Sequence, residues 1–231
     1  MFDAPAPELA ILFEDNHCLA VNKSAGLLVQ GDSTGDPTLL DAAADYLKRK
    51  YDKPGRVFVG LVHRLDRPVS GVVLLARTSK AAERLSRQFR DGTVRKVYWA
   101  LVEGEWSEDE GVWTDRLVKD HARNRSRGDA VEGKEASLSY RVLSRARGRT
   151  FFELRPGTGR SHQLRVQLAS RGLPIVGDRK YGAKRLVPAL DGGHRIALHA
   201  RSLGFDHPTL GAAIELIAPV PADWPGPSIP D

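Results

Sequence analysis

Residues 60–76 read GLVHRLDRPVSGVVLLA, and the rest of the chain is understood outward from them. Two apolar runs, Leu61-Val62 and Val72 to Ala76, enclose His63, Arg64, Asp66 and Arg67. The second run is short, continuous and β-branched, which fits a buried strand better than a helix. Pro68, Ser70 and Gly71 punctuate the turn before it. The pattern predicts a polar loop entering a buried strand, with one carboxylate at the rim of a core beside three side chains that can carry positive charge. Such neighbours favour the ionised carboxylate and suit it to act as nucleophile or base. The same residue types also make an ordinary loop ion-pair network, and the stretch by itself leaves both open. A kinase catalytic loop is set aside. Leu65 separates Arg64 from Asp66, Val72 to Ala76 contain no Asn, and no glycine-rich phosphate loop comes before.

The chain has 231 residues, enough for one large domain or two small ones and for a substantial core. Charged residues make up 28%, an ordinary share that argues against broad disorder. A formal net charge of +6 and a pI near 9.6 make nucleic acid or another polyanion a natural partner without requiring one. The single cysteine, Cys18, lies in the apolar run CLAV. It excludes an internal disulfide framework and a Cys-rich zinc site, and it suits a reducing compartment. The opening MFDAPAPELA lacks the basic-then-apolar pattern of a signal peptide. No apolar run approaches the roughly 20 residues of a membrane helix. A soluble, cytoplasmic protein without membrane contact is the expectation.

Along the chain, residues 1–8 carry Pro5 and Pro7 and read as a loose tail. ILFE and CLAVN, within Ile11 to Asn22, read as two short strands. Asp36-Pro37 looks like an N-cap and first helical residue, with Leu39, Ala43, Tyr46 and Leu47 at helical spacing up to about Lys50. Beyond the organising stretch, Ser79 is placed to cap a second helix. Ala81, Leu85 and Phe89 mark its buried face and Gly92 its end. Val94 to Gly104 alternates as a strand, with Lys96, Tyr98, Ala100 and Val102 on one face. Lys119 to Arg127, KDHARNRSR, is basic and almost devoid of apolar residues, so an exposed, mobile loop is expected. Ala136 to Val142 and Thr150 to Leu154 form a hairpin about Arg147-Gly148-Arg149. A glycine-rich turn then leads into a helix from about Ser161, capped by Gly172, which places His162 and Arg165 on one face. PIVGDRKY, Pro174 to Tyr181, reads as a short strand and turn. Ile196 to Phe205 and Ala212 to Ala218 give two more strands. Five of the fourteen prolines follow Pro219 or include it, and residues 220–231 read as a second loose tail. The whole is expected to be one α+β domain over residues 1–231.

These segments, in this order, resemble the RluA-type family of RNA pseudouridine synthases over nearly the whole chain. HRLDR with Ser70-Gly71 fits the family's HRLDRxTSG signature. Lys96-Val97-Tyr98 with ALVEG fits its K-x-Y-x-A-x-V-x-G strand, and TGRSHQLRV, Thr158 to Val166, its third motif. VNKSAGLLV, PIVGDRKYG, the Leu198-His199-Ala200 run and Phe205-Asp206-His207-Pro208 also have counterparts. Val69 stands where Thr is usual and Gln167 where His is usual. The S4 RNA-binding domain common in the family is not expected here, since the sequence leaves no room for one before Ile11.

The resemblance implies the pseudouridine synthase α+β fold, a long, mainly antiparallel mixed sheet flanked by helices with a central RNA-binding cleft. It implies isomerisation of uridine to pseudouridine in ribosomal or transfer RNA by a monomer, with no cofactor and no metal. Asp66 aligns with the essential aspartate, Tyr98 with the active-site tyrosine, and Arg165 with the arginine that pairs with the aspartate. Breaking a glycosidic bond calls for a carboxylate near the anomeric carbon, as nucleophile or as base. Arg165 suits a bidentate pair that keeps a carboxylate ionised, and Tyr98 suits stacking on uracil and removal of the C5 proton. Arg64, Arg123, Arg125, Arg127, Arg160 and His162 are the expected RNA contacts, with Arg145, Arg147 and Arg149 as further backbone candidates. His63 and Arg67 are expected to brace the loop. A non-catalytic RNA-binding module on the same fold is the rival. A glycoside hydrolase is a weaker one, since the signature segments offer one carboxylate and not two.

Overall fold

The structure is a computed structural model that describes residues 8–120, 125–129, 131–187 and 195–227. The chain divides into two compact units, Met1–Arg95 with Ser202–Pro219 and Lys96–Arg201 with Val220–Asp231.

The first unit opens with the expected pair of strands, β1 (Ala10–Glu14) and β2 (Cys18–Lys23), joined as an antiparallel hairpin. Asp15 closes their turn, its Oδ1 accepting from the backbone N–H groups of His17 and Cys18 at 2.7 Å each. Helix α1 (Leu39–Lys50) begins two residues later than Asp36-Pro37 suggested. The reason is a capping box. The Thr38 hydroxyl accepts from the Asp41 N–H, while the Asp41 carboxylate accepts from the Thr38 N–H, satisfying two orphan donors at once. Helix α2 (Ser79–Asp91) is likewise capped one residue early, by Thr78, and it ends on Gly92 in the left-handed conformation as expected.

Between the helices run the two-residue strand β3 (Gly60–Leu61) and β4 (Ser70–Ala76). Both pair antiparallel with their neighbours, β3 with the end of β4 and β4 along the length of β2. Every residue of β4 is buried, as a run without polar alternation requires. Val72, Leu74 and Ala76 share a core with Cys18 and Ala20 of β2 and Ala81 and Leu85 of α2. Burying a Val or Leu side chain fully is worth about 1.5–3 kcal/mol, so this cluster fixes the strand that carries the polar loop.

The second unit holds five antiparallel strands in the order β5-β9-β8-β6-β7: β5 (Arg95–Glu103), β6 (Glu110–Asp120), β7 (Arg125–Gly128), β8 (Lys134–Ala146) and β9 (Arg149–Pro156). Strand β6 was not foreseen. Its inward positions are Trp113, Asp115 and Leu117, and the acid in the middle breaks the apolar alternation. Asp115 is accommodated because Gln167 Nε2 donates to it at 2.7 Å and Arg171 pairs with it at 3.0 Å.

The expected loop Lys119–Arg127 is corrected at its two ends, and residues 121–124 lie outside the described residues. Lys119 and Asp120 end β6, and Arg125 to Arg127 lie in β7, with Lys119 opposite Ser126 and Val118 opposite Arg127. Helix α3 (Gln163–Ala169) is shorter than expected, because His162 adopts a left-handed conformation (φ 53°) and forms its N-terminal boundary. PIVGDRKY supplies only a single bridge, Ile175 to Val102, and a 3-10 turn at Arg179–Tyr181.

Strand β10 (Leu198–Asp206) crosses the boundary between units in sequence, and its Ser202–Asp206 part pairs with β11 (Ala213–Ile217) in the first unit. There Leu203, Phe205, Leu216 and Ala218 join the core of Cys18 and Leu74. The described part of the terminal segment, residues 220–227, is no loose tail. Asp223 forms an ion pair with Arg195, and the Trp224 ring packs 6.5 Å from Phe151 and 5.8 Å from His199.

Candidate active site

The loop between β3 and β4 is held from several sides within the first unit. Leu65 and Val69 are buried and fasten it to the core, while Arg64 is exposed and Asp66 half-buried between them. The Val69 N–H donates to the Asp66 carbonyl at 3.0 Å, which closes a tight turn over Arg67-Pro68. His63 braces the loop: its Nε2 accepts from the Leu74 N–H at 2.9 Å, and its ring stacks on Phe89 of α2. Arg67 braces it too, donating from Nε to the Gly26 carbonyl at 2.9 Å and pairing with Asp36 at 2.7 Å.

Lys23 lies beneath this loop, 1% exposed. Its Nζ donates to the carbonyls of Ser24, Leu27 and Arg67 at 2.8, 2.9 and 3.3 Å, which occupies all three ammonium protons. Burial pulls its pKa down to about 7, while the Asp66 carboxylate works in the opposite direction. The VNKSAGLLV segment is therefore the floor of the Asp66 loop, a role the sequence alone did not assign.

Tyr98 and Arg165 belong to the second unit. Tyr98 is half-buried on β5 opposite Leu154 of β9. Arg165 sits 5% exposed in the first turns of α3. Its Nε lies 2.6 Å from Oδ2 of Asp178 and its Nη2 2.8 Å from Oδ1. Asp178 is fully buried. A buried guanidinium needs a buried counter-charge in this two-bond geometry to offset its desolvation. Asp178 was passed over in the sequence, where GDR reads as a simple turn. The signal that could have found it is Arg165 itself, a charge flanked by Leu164 and Val166 on a short helix buried from Gln163 to Leu168.

Tyr181 ties this pair to β7. The Arg165 and Arg125 guanidinium carbons lie 5.0 and 4.8 Å from its ring centroid. Its hydroxyl accepts from the Ser126 N–H at 2.9 Å and lies 2.8 Å from Nδ1 of His162. The one phenolic proton is better placed on His162 than on the Ser126 carbonyl, 3.3 Å away. Burial raises the Tyr181 pKa, and the two arginines oppose that rise. His162 thus owes its left-handed backbone to a tertiary partner.

Of the other expected RNA contacts, Arg125 and Arg127 are exposed, with Arg127 paired to Asp129 at 2.8 Å. Arg160 is exposed and donates from Nε to the Glu135 carbonyl. Arg123 lies outside the described residues. Arg145 is corrected: its guanidinium is taken up by the carbonyls of Trp106, Ser107 and Glu108 and by Asp109, so it builds the β-sheet corner. Gln167, the departure from the family pattern, is a buried strut between Asp115 and the Ala136 carbonyl.

One cluster has ligand-type atoms close together, Asp15, Cys18 and His207, all within 4.8 Å. Its chemistry is that of a strut. His207 Nδ1 accepts from the Leu210 and Thr209 N–H groups, so Nε2 carries the proton and donates to Asp15 at 2.6 Å. Burial pushes the Cys18 thiol up to about 12, far from the thiolate a metal requires. Among the described residues, no helix is long and apolar enough to cross a membrane.

A model of the RNA pseudouridylate synthase family matches residues 17–170. The chain is 39% identical over 226 residues to the ribosomal large subunit pseudouridine synthase D of Xylella fastidiosa, covering 93% of this chain and 67% of that protein. It is 34% identical over 215 residues to the ribosomal large subunit pseudouridine synthase C of Buchnera aphidicola, covering 91% of this chain and 67% of that one. The chain thus spans about two thirds of the length of these relatives. Its structure is similar to human RNA pseudouridylate synthase domain containing 4, with a TM-score of 0.76 and 26% identity over 93% of this chain and 90% of the other.

Proposed function

The chain belongs to the RNA pseudouridylate synthase family, and from that premise we propose which RNA it modifies and which side chains act. As a member it is an isomerase that converts uridine in RNA to pseudouridine. The proposed substrate is the RNA of the large ribosomal subunit, named for the relatives from Xylella fastidiosa and Buchnera aphidicola. The proposed compartment is the cytoplasm, which a lone buried cysteine suits.

Asp66 is the proposed catalytic carboxylate. The observation that carries this is the bracing of its loop, in which His63, Arg67, Leu65, Val69 and buried Lys23 fix the backbone while the carboxylate keeps access to solvent. Preorganisation of this kind suits a group that must meet one ribose carbon in one geometry. The reaction breaks the bond from uracil N1 to ribose C1′ and, after the base turns, forms one from C5 to C1′. A proton leaves C5 and N1 takes one up, so no electrons are gained or lost overall. Asp66 serves either by attacking C1′ or by removing a ribose proton. Tyr98 stacks on the uracil and assists loss of the C5 proton. Arg165, held in place by Asp178, is the proposed cationic side chain of the chemistry. The target uridine leaves its stack to react, at a cost of about a few kcal/mol that is least in loops. Arg64, Arg125, Arg127, Arg160 and His162 are proposed to contact the RNA around it.

The test is Asp66→Asn, which is nearly isosteric and removes only the charge. The variant keeps its fold and its affinity for an unmodified large-subunit ribosomal RNA transcript, and forms no pseudouridine in it. Turnover retained at the parent's level removes Asp66 from the chemistry. A parent that modifies only other RNAs overturns the substrate.

A further inference from the structure

Residues 48–58 read KRKYDKPGRVF and leave the end of α1 for β3 in the first unit. They hold five cationic side chains against one carboxylate, Asp52, and all but Val57 are exposed. Lys50 is spoken for, paired with Glu14 at 2.7 Å. Among the described residues, Lys48, Arg49, Lys53 and Arg56 make no ion pair. Asp41 and Asp45 lie on the exposed side of α1, so the excess of bases over acids is concentrated at the helix end and in the segment after it.

Two aromatic rings stand among these cations, Tyr51 at 43% exposure and Phe58 at 50%. Tyr51 is fixed in place: its hydroxyl donates to Glu14 at 2.6 Å, and the buried Arg77 guanidinium lies 4.7 Å from its ring centroid. Lys50 and Lys53 lie 5.6 and 5.8 Å from the same centroid. An aromatic ring held rigid, half open to solvent and ringed by ammonium groups offers a base a stacking surface at little entropic cost. Phe58 has no polar group to account for its exposure. Cations that follow a phosphate backbone, with aromatics between them for bases, are the composition of surfaces that bind unpaired RNA.

We propose that the Lys48–Phe58 segment is an RNA-docking surface for unpaired nucleotides of the substrate outside the target uridine, with Tyr51 and Phe58 stacking on bases and Lys48, Arg49, Lys53 and Arg56 meeting phosphates. This rests on the assignment of the chain as an RNA-modifying enzyme and adds to it a site that holds RNA without taking part in the reaction.

The experiment uses the full chain, the combined variant Lys48→Gln, Arg49→Gln, Lys53→Gln, Arg56→Gln, and separately Phe58→Ser. Affinity for a labelled, unstructured oligouridylate is measured at several salt concentrations. Each lost phosphate contact flattens the slope of log K against log[salt] by about 0.7, so the charge variant is expected to lose up to about 2.8. Phe58→Ser is expected to weaken binding at least about fivefold with the slope unchanged, since one base-stacking contact is lost. With a large-subunit ribosomal RNA transcript, both variants show raised KM and the parent's kcat. Unchanged affinity and slope in both variants overturn the proposal. So does lost binding to vesicles containing phosphatidylserine with RNA binding intact, which gives the surface to a membrane. Oligouridylate binding is read apart from pseudouridine formation, so a parent without activity overturns the enzyme assignment and leaves the docking result legible.

Discussion

Arg165 and Asp178 meet side-on through two hydrogen bonds of 2.6 and 2.8 Å, and neither side chain is more than 6% exposed. Both charges are removed from water, so each depends on the other. Removing one partner of such a pair costs about 3–5 kcal/mol because the remaining charge is left buried and alone. Asp178→Asn keeps the shape and one acceptor oxygen, so its effect on folding is the milder one. The expected outcome is a lowered urea midpoint, by less than Asp178→Ala shows, together with a loss of turnover that exceeds any loss of RNA affinity. If Asp178→Asn lowers stability and leaves kcat at the parent's value, the pair is structural only.

Strand β7 changes what is expected of its arginines. Arg125 is stacked on Tyr181 and Arg127 is paired with Asp129, so both are held at defined places on an exposed strand. Changing Arg125 and Arg127 together to Gln should weaken RNA binding and flatten the salt slope by about 1.4, two contacts at about 0.7 each. Turnover at saturating RNA should stay at the parent's value. Titrations of parent and variant in parallel decide it, and coincident slopes mean that this strand faces solvent only.

Glu14 provides the acid limb of stability. Burial alone would raise its pKa, but hydrogen bonds from Lys50, Tyr51 and Tyr46 outweigh that and hold it down to about 2, against an ordinary 4.5. A folded-state pKa below the unfolded one favours folding while the group is ionised in both states. The contribution is therefore complete above pH 4.5 and is lost as the pH falls towards 2. Urea midpoints across this window should fall more steeply for the parent than for Glu14→Gln. Parallel curves would show that the Tyr and Lys donors stabilise Gln equally well.

The sequence was most legible where local pattern and burial agree. Val72 to Ala76 is apolar on every residue, and β4 is buried on every residue. Gly92 ends α2 in the left-handed conformation that only glycine takes up at no cost. Legibility failed where a distant partner sets the local conformation. His162 is bent out of the helix by its bond to Tyr181, nineteen residues on. The two ends of the basic run, Lys119-Asp120 and Arg125 to Arg127, become strand because β6 and β7 pair and Ser126 is drawn inward, its hydroxyl donating to the Ser161 carbonyl. Of the candidate site, motif spacing gave Asp66, Tyr98 and Arg165. It did not give Asp178 or Lys23, whose roles rest on depth of burial and on contacts that no spacing rule encodes.

The first unit is assembled from two pieces of chain more than a hundred residues apart, with Leu203, Phe205 and Leu216 completing a core begun by Cys18 and Leu74. During synthesis, the amino-terminal piece leaves the ribosome without the strands that cover that core and must wait for β10 and β11. The intervening stretch, Lys96–Arg201, has its five strands and α3 in hand before β11 exists. Order of birth is thus not order of folding here, because the piece made first cannot finish its core until the whole stretch between the two pieces has emerged. Until then the apolar β4, with the HRLDR loop at its head, lacks the cover that Leu203, Phe205 and Leu216 give its core and is open to wrong partners.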